Sequence, residues 1–166
     1  MPMRKNNRRE RGFTLVELLI IIGIIGILFA VILIAVDPAR RFSESRDAVR
    51  RQDVRDILEA VVEYTTDNKG NTPTGLDDVP ASIQLLGNSA LDCSASPCAG
   101  YVSSEISTSC LDLSGSLVES YLASIPQDPN TGNAGDTRYY INKTSGNRIE
   151  VGACDPEQVT SISVKR

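Results

Sequence analysis

Residues 13–36 read FTLVELLIIIGIIGILFAVILIAV, and only Thr14 and Glu17 in that run are polar. Twenty-four residues in an α-helix extend about 36 Å, enough to cross a hydrocarbon core of about 30 Å. The run is apolar on every side, which helices buried in small soluble domains seldom are at this length. It is expected in lipid or among other apolar helices. Glu17 is its one charge, and an acid costs roughly 2.5–3.5 kcal/mol at the centre of a membrane helix, less near an end. A plain anchor gains nothing from it.

Outward from this run, the N-terminal side is basic. Residues 1–12 carry Arg4, Lys5, Arg8, Arg9 and Arg11 against Glu10, a net of +4. The whole chain has a net charge of −4, so the remainder carries −8. An acidic remainder argues against a body built to bind nucleic acid by bulk charge. Five more arginines follow the span (Arg40, Arg41, Arg46, Arg50 and Arg51), so the count of flanking positive charges does not by itself set orientation.

On the C-terminal side the helical pattern continues as ARRFSESRDAVRRQDVRDILEAVVEYTT over residues 39–66. Phe42, Val49, Ile57, Val61 and Tyr64 recur near helical spacing, with Ala48, Val54, Leu58 and Val62 broadening the stripe. Asp47 precedes Arg50 and Arg51 in the acid-first order that supports a helix. Asn68-Lys69-Gly70-Asn71, with Pro73 beyond, supplies a stop. This predicts one helix from about Thr14 to about Asp67, bent or weakened between Gly23 and Pro38.

Beyond Gly70 the chain turns rich in Ser, Thr, Ala, Gly and Pro. The pattern suggests a short helix near Ala81–Leu86 and another at Leu117–Leu122, stopping before Pro126. QDPNTGNAGD reads as a loop. Arg138–Lys143 and Arg148–Ala153 read as two strands joined at Ser145-Gly146-Asn147. The expected class is α+β, with an antiparallel sheet packed on the second half of the long helix.

Four cysteines, Cys93, Cys98, Cys110 and Cys154, lie beyond the apolar segment. The even count suggests two disulfides in an oxidising compartment. Only Cys93 and Cys98 are close, which does not fit the two close pairs of a zinc site. Of three pairings, the favoured one closes CSASPC as Cys93–Cys98 and joins Cys110 to Cys154. The chain has no histidine, which removes the commonest general base and metal ligand. An ordinary signal peptide would show an apolar core of about 7–15 residues and a small-residue cleavage site, and Ala35-Val36-Asp37-Pro38 offers none. The reading is of a protein that is not an enzyme and needs no cofactor or metal.

Arg11-Gly12-Phe13-Thr14-Leu15-Val16-Glu17-Leu18, with Gly26 further on, resembles the N-terminal signal of type IV pilins and of the related pseudopilins of type II secretion. The resemblance implies a leader at 1–12, cleavage after Gly12 by a membrane-embedded prepilin peptidase, and methylation of the new amine on Phe13. It implies that Glu17 pairs with the N-terminal amine of a neighbouring subunit during assembly. The implied layout is a transmembrane and filament-core helix at 13–36, its amphipathic continuation at 37–67 and an extracytoplasmic globular domain at 68–166. The implied partners are further copies of the chain, membrane lipid before assembly, the peptidase/methyltransferase and the inner-membrane assembly machinery. The chain would begin as a single-pass inner-membrane protein and end in an extracellular or periplasmic filament.

Two features depart from the commonest pilin pattern. Many pilins carry their proline one turn before Pro38, at the place occupied here by Ile34, and four cysteines exceed the usual single disulfide. IPQDP at 125–129 resembles the turn before the final strands of major pseudopilins. Some of these bind calcium in the loop that follows, but Asp128, Asn130 and Asp136 fit no calcium spacing and read as a solvated loop. A DNA-binding minor pilin would need a basic cluster, for which Arg138, Lys143, Arg148, Lys165 and Arg166 are the candidates; they read as solvated surface. Asn142-Lys143-Thr144 matches a glycosylation triplet, read as chance.

Overall fold

A computed structural model describes residues 12–80, 82–89, 93, 97, 98 and 100–166. Its contacts divide the chain into two units, Met1–Arg41 and Phe42–Arg166. The first contains helix α1, Leu15–Val36, which has no buried residue.

The predicted single helix is two. Helix α2 runs Pro38–Asp67, and Asp37 between them is left-handed, with φ 43°. A residue before proline avoids the helical conformation, and Pro38 falls at the first position of a new helix, where its missing N–H is no loss. Asp37 caps that helix. Its carboxylate accepts from the Arg40 amide at 3.4 Å and its carbonyl from the Arg41 amide at 3.3 Å.

The second unit is α+β. Strands β1 (Gln84–Leu85), β2 (Tyr139–Lys143), β3 (Ile149–Ala153) and β4 (Ile162–Lys165) form an antiparallel sheet in chain order. The hairpin falls where the sequence placed it, with Asn147 left-handed in the turn. Alternate residues of β2 serve two cores. Tyr139 and Ile141 join Val151 and Ala153 against Val54, Ile57, Leu58 and Val61 of α2. Tyr140 joins Leu85, Ile83 and the disulfides on the opposite face. With both faces covered, β3 is buried along its whole length. Gly152 lies opposite Tyr140, and a Cβ there would stand 2.4 Å from the ring. The ring fills the space that a side chain at 152 would need.

Neither expected short helix lies where the pattern put it. Residues 83–86 are extended, making β1 and its flanking bridges; Ala81 lies outside the described residues. The second short helix, α3, is Ser114–Leu117, and 118–122 is a turn closed by a Glu119-to-Leu122 bond. Leu117 is the buried end of that helix and not its start.

The apolar stripe of α2 is also shorter than predicted. Phe42 and Val49 are exposed, by 65 % and 44 %. The inward positions of these first turns are Asp47 and Arg50, both fully buried. Arg50 grips Asp128 through two bonds of 2.6 and 3.0 Å and reaches Asp47 at 2.8 Å and Glu157 at 2.9 Å. Arg46 adds a 2.7 Å bond to Glu157. The Asp47 carboxylate accepts from the Glu157 and Gln158 amides at 3.0 and 2.8 Å. Burial disfavours the ionised carboxyls of Asp47 and Asp128, but backbone amides and Arg50 outweigh it and hold both below the usual range. The bond from Arg46 holds Glu157 low as well. This hub ties α2 to the loop before β2 and the loop after β3.

Candidate processing and assembly site

The start of α1 is built by four residues. Gly12, Phe13 and Thr14 precede the helix, and Phe13 is 82 % exposed. Thr14 is the N-cap. Its hydroxyl accepts from the Glu17 amide at 3.2 Å, and the Glu17 carboxylate takes the Thr14 amide at 2.9 Å and hydroxyl at 2.8 Å. This capping box satisfies two amides that a helix start leaves unpaired. Both bonds to Glu17 end on Oε2; among the described residues none reaches Oε1.

Every residue of α1 is exposed within the chain, although the helix is long and apolar enough to span a membrane. Nothing lies within 4 Å of a Cβ placed on Gly12, Gly23 or Gly26, so no packing among the described residues requires those glycines. Residues 1–11 of the expected leader lie outside the described residues.

Over residues 7–33 the sequence matches the family model for the prokaryotic N-terminal methylation motif. The chain carries the type IV pilin and pseudopilin signature. Neither a curated protein nor a solved structure matches it. The motif implies processing by prepilin peptidase and assembly into pilus-type filaments, and with the apolar helix it supports membrane anchoring before assembly. It marks a structural family, not a catalytic one.

The other residues singled out in this pilin-like chain fare differently. Its cysteines form two disulfides, Cys93–Cys110 and Cys98–Cys154, not the predicted pairs. The chain reverses at Cys98–Tyr101, a bridged turn, and this sets Cys98 beside the end of β3, where Cys154 follows Ala153. Cys93 lies against the 108–110 segment, its amide bonded to the Thr108 carbonyl at 3.0 Å. Shared sequence proximity of Cys93 and Cys98 gave no hint of either contact.

Asp128 does not belong to a solvated loop. It is 4 % exposed, gripped by Arg50, and its Oδ1 also takes the Asn130 and Thr131 amides at 2.9 and 3.0 Å. The five basic residues do not converge as open surface. Arg138 is buried and bonded twice to Asp155, at 2.8 and 2.7 Å; Lys143 pairs with Asp78 and Lys165 with Glu150. Asn142 is 7 % exposed and donates to the Pro80 carbonyl, so it offers no accessible glycosylation site.

Sequence reasoning missed two features here. The capping box was legible as Thr14-x-x-Glu17 ahead of an apolar run. The Arg50–Asp128 pair joins residues 78 apart and left no local signal.

Proposed function

We propose that the chain is a subunit of a type IV pilus-like filament, cut after Gly12 and methylated on the Phe13 amine. That amine then pairs with Glu17 of a neighbouring copy as α1 packs into the filament core. The observation that carries this reading is α1 itself: 22 residues, none buried by the rest of the chain, behind a methylation motif. A helix with no covering of its own needs lipid first and other copies later.

Gly12 supports the cleavage step. Its missing side chain answers to nothing among the described residues, and a narrow peptidase site is a reason outside them. Glu17 supports the pairing step. Its capping bonds use one carboxylate oxygen and hold the group at the helix start, leaving the other oxygen for an incoming cation. Pairing neutralises two charges that would each be expensive in an apolar filament core.

IPQDP at 125–129 favours a second reading, a pseudopilin of a type II secretion system. Its Asp128 anchors the loop to α2 through Arg50, a structural role for that turn. The DNA-binding reading loses support, because three of its five basic residues are tied to acids.

Glu17 provides the test. Glu17→Gln keeps an oxygen for the cap but removes the charge; Glu17→Val removes both. Both variants are expected to be processed and to stay in the membrane, and both to assemble poorly. Thr14→Ala weakens the cap, at about 1 kcal/mol, and should assemble far better than either. Normal fibre yield from Glu17→Gln would refute the pairing role.

A further inference from the structure

The outward face of α2 carries a charge pattern that the fold leaves unused. Arg51, Arg55, Glu59 and Glu63 recur at every fourth residue, and all four are exposed. Among the described residues none of them is in an ion pair. The inward charges of the same helix are all engaged, Asp47 and Arg50 in the hub and Asp53 by the Tyr139 hydroxyl at 2.6 Å. The outer stripe is thus two cations followed by two anions on successive turns. Arg51 and Arg55 also line a groove of about 230 Å³ between α2 and β4, whose walls include Val159, Ser161 and Ser163.

We propose that this stripe docks a second copy of the chain, lying parallel and shifted along α2 by about 12 Å. Glu59 and Glu63 of one copy then meet Arg51 and Arg55 of the next. The inference rests on the filament reading above for one point only: copies anchored by α1 in one membrane or one filament share a direction. Their α2 helices are then parallel, and without a shift like charges face each other. A shift of eight residues, at about 1.5 Å each, pairs 51 with 59 and 55 with 63 and leaves no like pair. A shift of four residues would make one such pair and two like-charge contacts.

Charge also identifies the occupant. A lipid surface would take the two cations and meet the two acids beside them with repulsion. A second copy offers both signs, and each copy can pair once on either side. The groove walls keep part of the water from Arg51 and Arg55, which strengthens a pair there relative to one on open surface.

The test uses two co-expressed versions of the full chain in a host with pilus assembly machinery. One carries Arg55→Lys, Glu59→Gln and Glu63→Gln, and so has one amine and no acid in the stripe. The other keeps all four natural residues. After treatment with a zero-length carbodiimide, any peptide joining Lys at 55 to Glu59 or Glu63 must connect two copies. The expected product is mainly the link to Glu63. Links mainly to Glu59 would mean an antiparallel pair or a parallel shift of four residues, and either would overturn the proposal. Fibres without either link would overturn it and leave the filament reading intact. The Glu63 link in membranes of cells that make no fibres would uphold the stripe and sink the filament reading.

Fibre yield gives a second arm. R51E/R55E should lower it on the order of tenfold. Adding E59R/E63R, which exchanges the two blocks, should restore it, because a shifted copy again meets opposite charge. Failure of the exchange to restore fibres, in a chain that still forms both disulfides, would contradict the proposal.

Discussion

Helices α1 and α2 follow one another with only Asp37 between them, and they bury opposite things. α1 is apolar all round and buries nothing within its chain. α2 carries charge on most of its turns, yet it buries a full stripe, with Asp47 and Arg50 on the inward side beside Val54, Ile57 and Val61. The difference teaches that hydrophobicity alone does not say which helix builds the domain. Where the sheet and its loops supply partners, even an arginine is buried; where nothing does, an entire apolar helix stays uncovered and looks to lipid or to other copies.

The largest expected effect comes from removing one helix or the other. A chain starting at Ala39 lacks α1 and should be soluble, oxidised and cooperatively folded, and should form no fibres. A chain starting at Asn71 also lacks α2, exposes the inner face of the sheet and should aggregate. Light scattering and circular dichroism after expression in an oxidising compartment compare them. Equal solubility and cooperativity would break the contrast between the helices.

Within the shorter chain the hub is the next target. Arg50→Ala leaves Asp47 and Asp128 buried without their cation and should cost roughly 3–5 kcal/mol in chemical denaturation. In the full chain, Leu19→Ala in α1 should leave the domain's melting unchanged, since Leu19 is 60 % exposed and touches no core. The hub also predicts a pH dependence. Asp47, Asp128 and Glu157 have carboxyls held below their ordinary values. Their contribution is therefore fully present above the ordinary carboxylate range, near about 4, and is lost as pH falls through the lowered values. Acid unfolding followed by circular dichroism should begin at a higher pH in Arg50→Ala than in the natural chain. An unchanged acid midpoint would mean the hub adds nothing.

The disulfides give a graded effect of comparable size. Cys98–Cys154 closes a separation of 56 residues and Cys93–Cys110 one of 17. Chain-entropy reasoning gives about 4 and about 3 kcal/mol respectively. Paired Cys→Ser variants should rank in that order, and non-reducing peptide mapping should return these two bonds. A Cys93–Cys98 peptide would reinstate the pairing suggested by the short loop.

Much of this contrast was legible in the sequence. α1 announces itself by an unbroken apolar run, and the β2–β3 hairpin by two apolar segments around Ser145-Gly146-Asn147. β4 was readable and missed: Ile162-Ser163-Val164-Lys165 alternates, and its burial alternates with it. β1 was not readable, because two residues carry no period. The break at Asp37 is half legible: Pro38 marks the place, but a proline fits a kink inside a helix as well as the first position of a new one, which it occupies here. The inward turn of Asp47 and Arg50 was hidden, because their partners Asp128 and Glu157 lie far along the chain and a charged pair carries no hydrophobic period.

Everything proposed for α1 begins with removal of the leader after Gly12, which frees the amine of Phe13 at the start of the helix. Mass spectrometry of the mature chain, isolated from a host with its own prepilin peptidase, tests this most directly. The expected first residue is Phe13, bearing one added methyl group on its amine. A mature chain that begins at any other residue would contradict it.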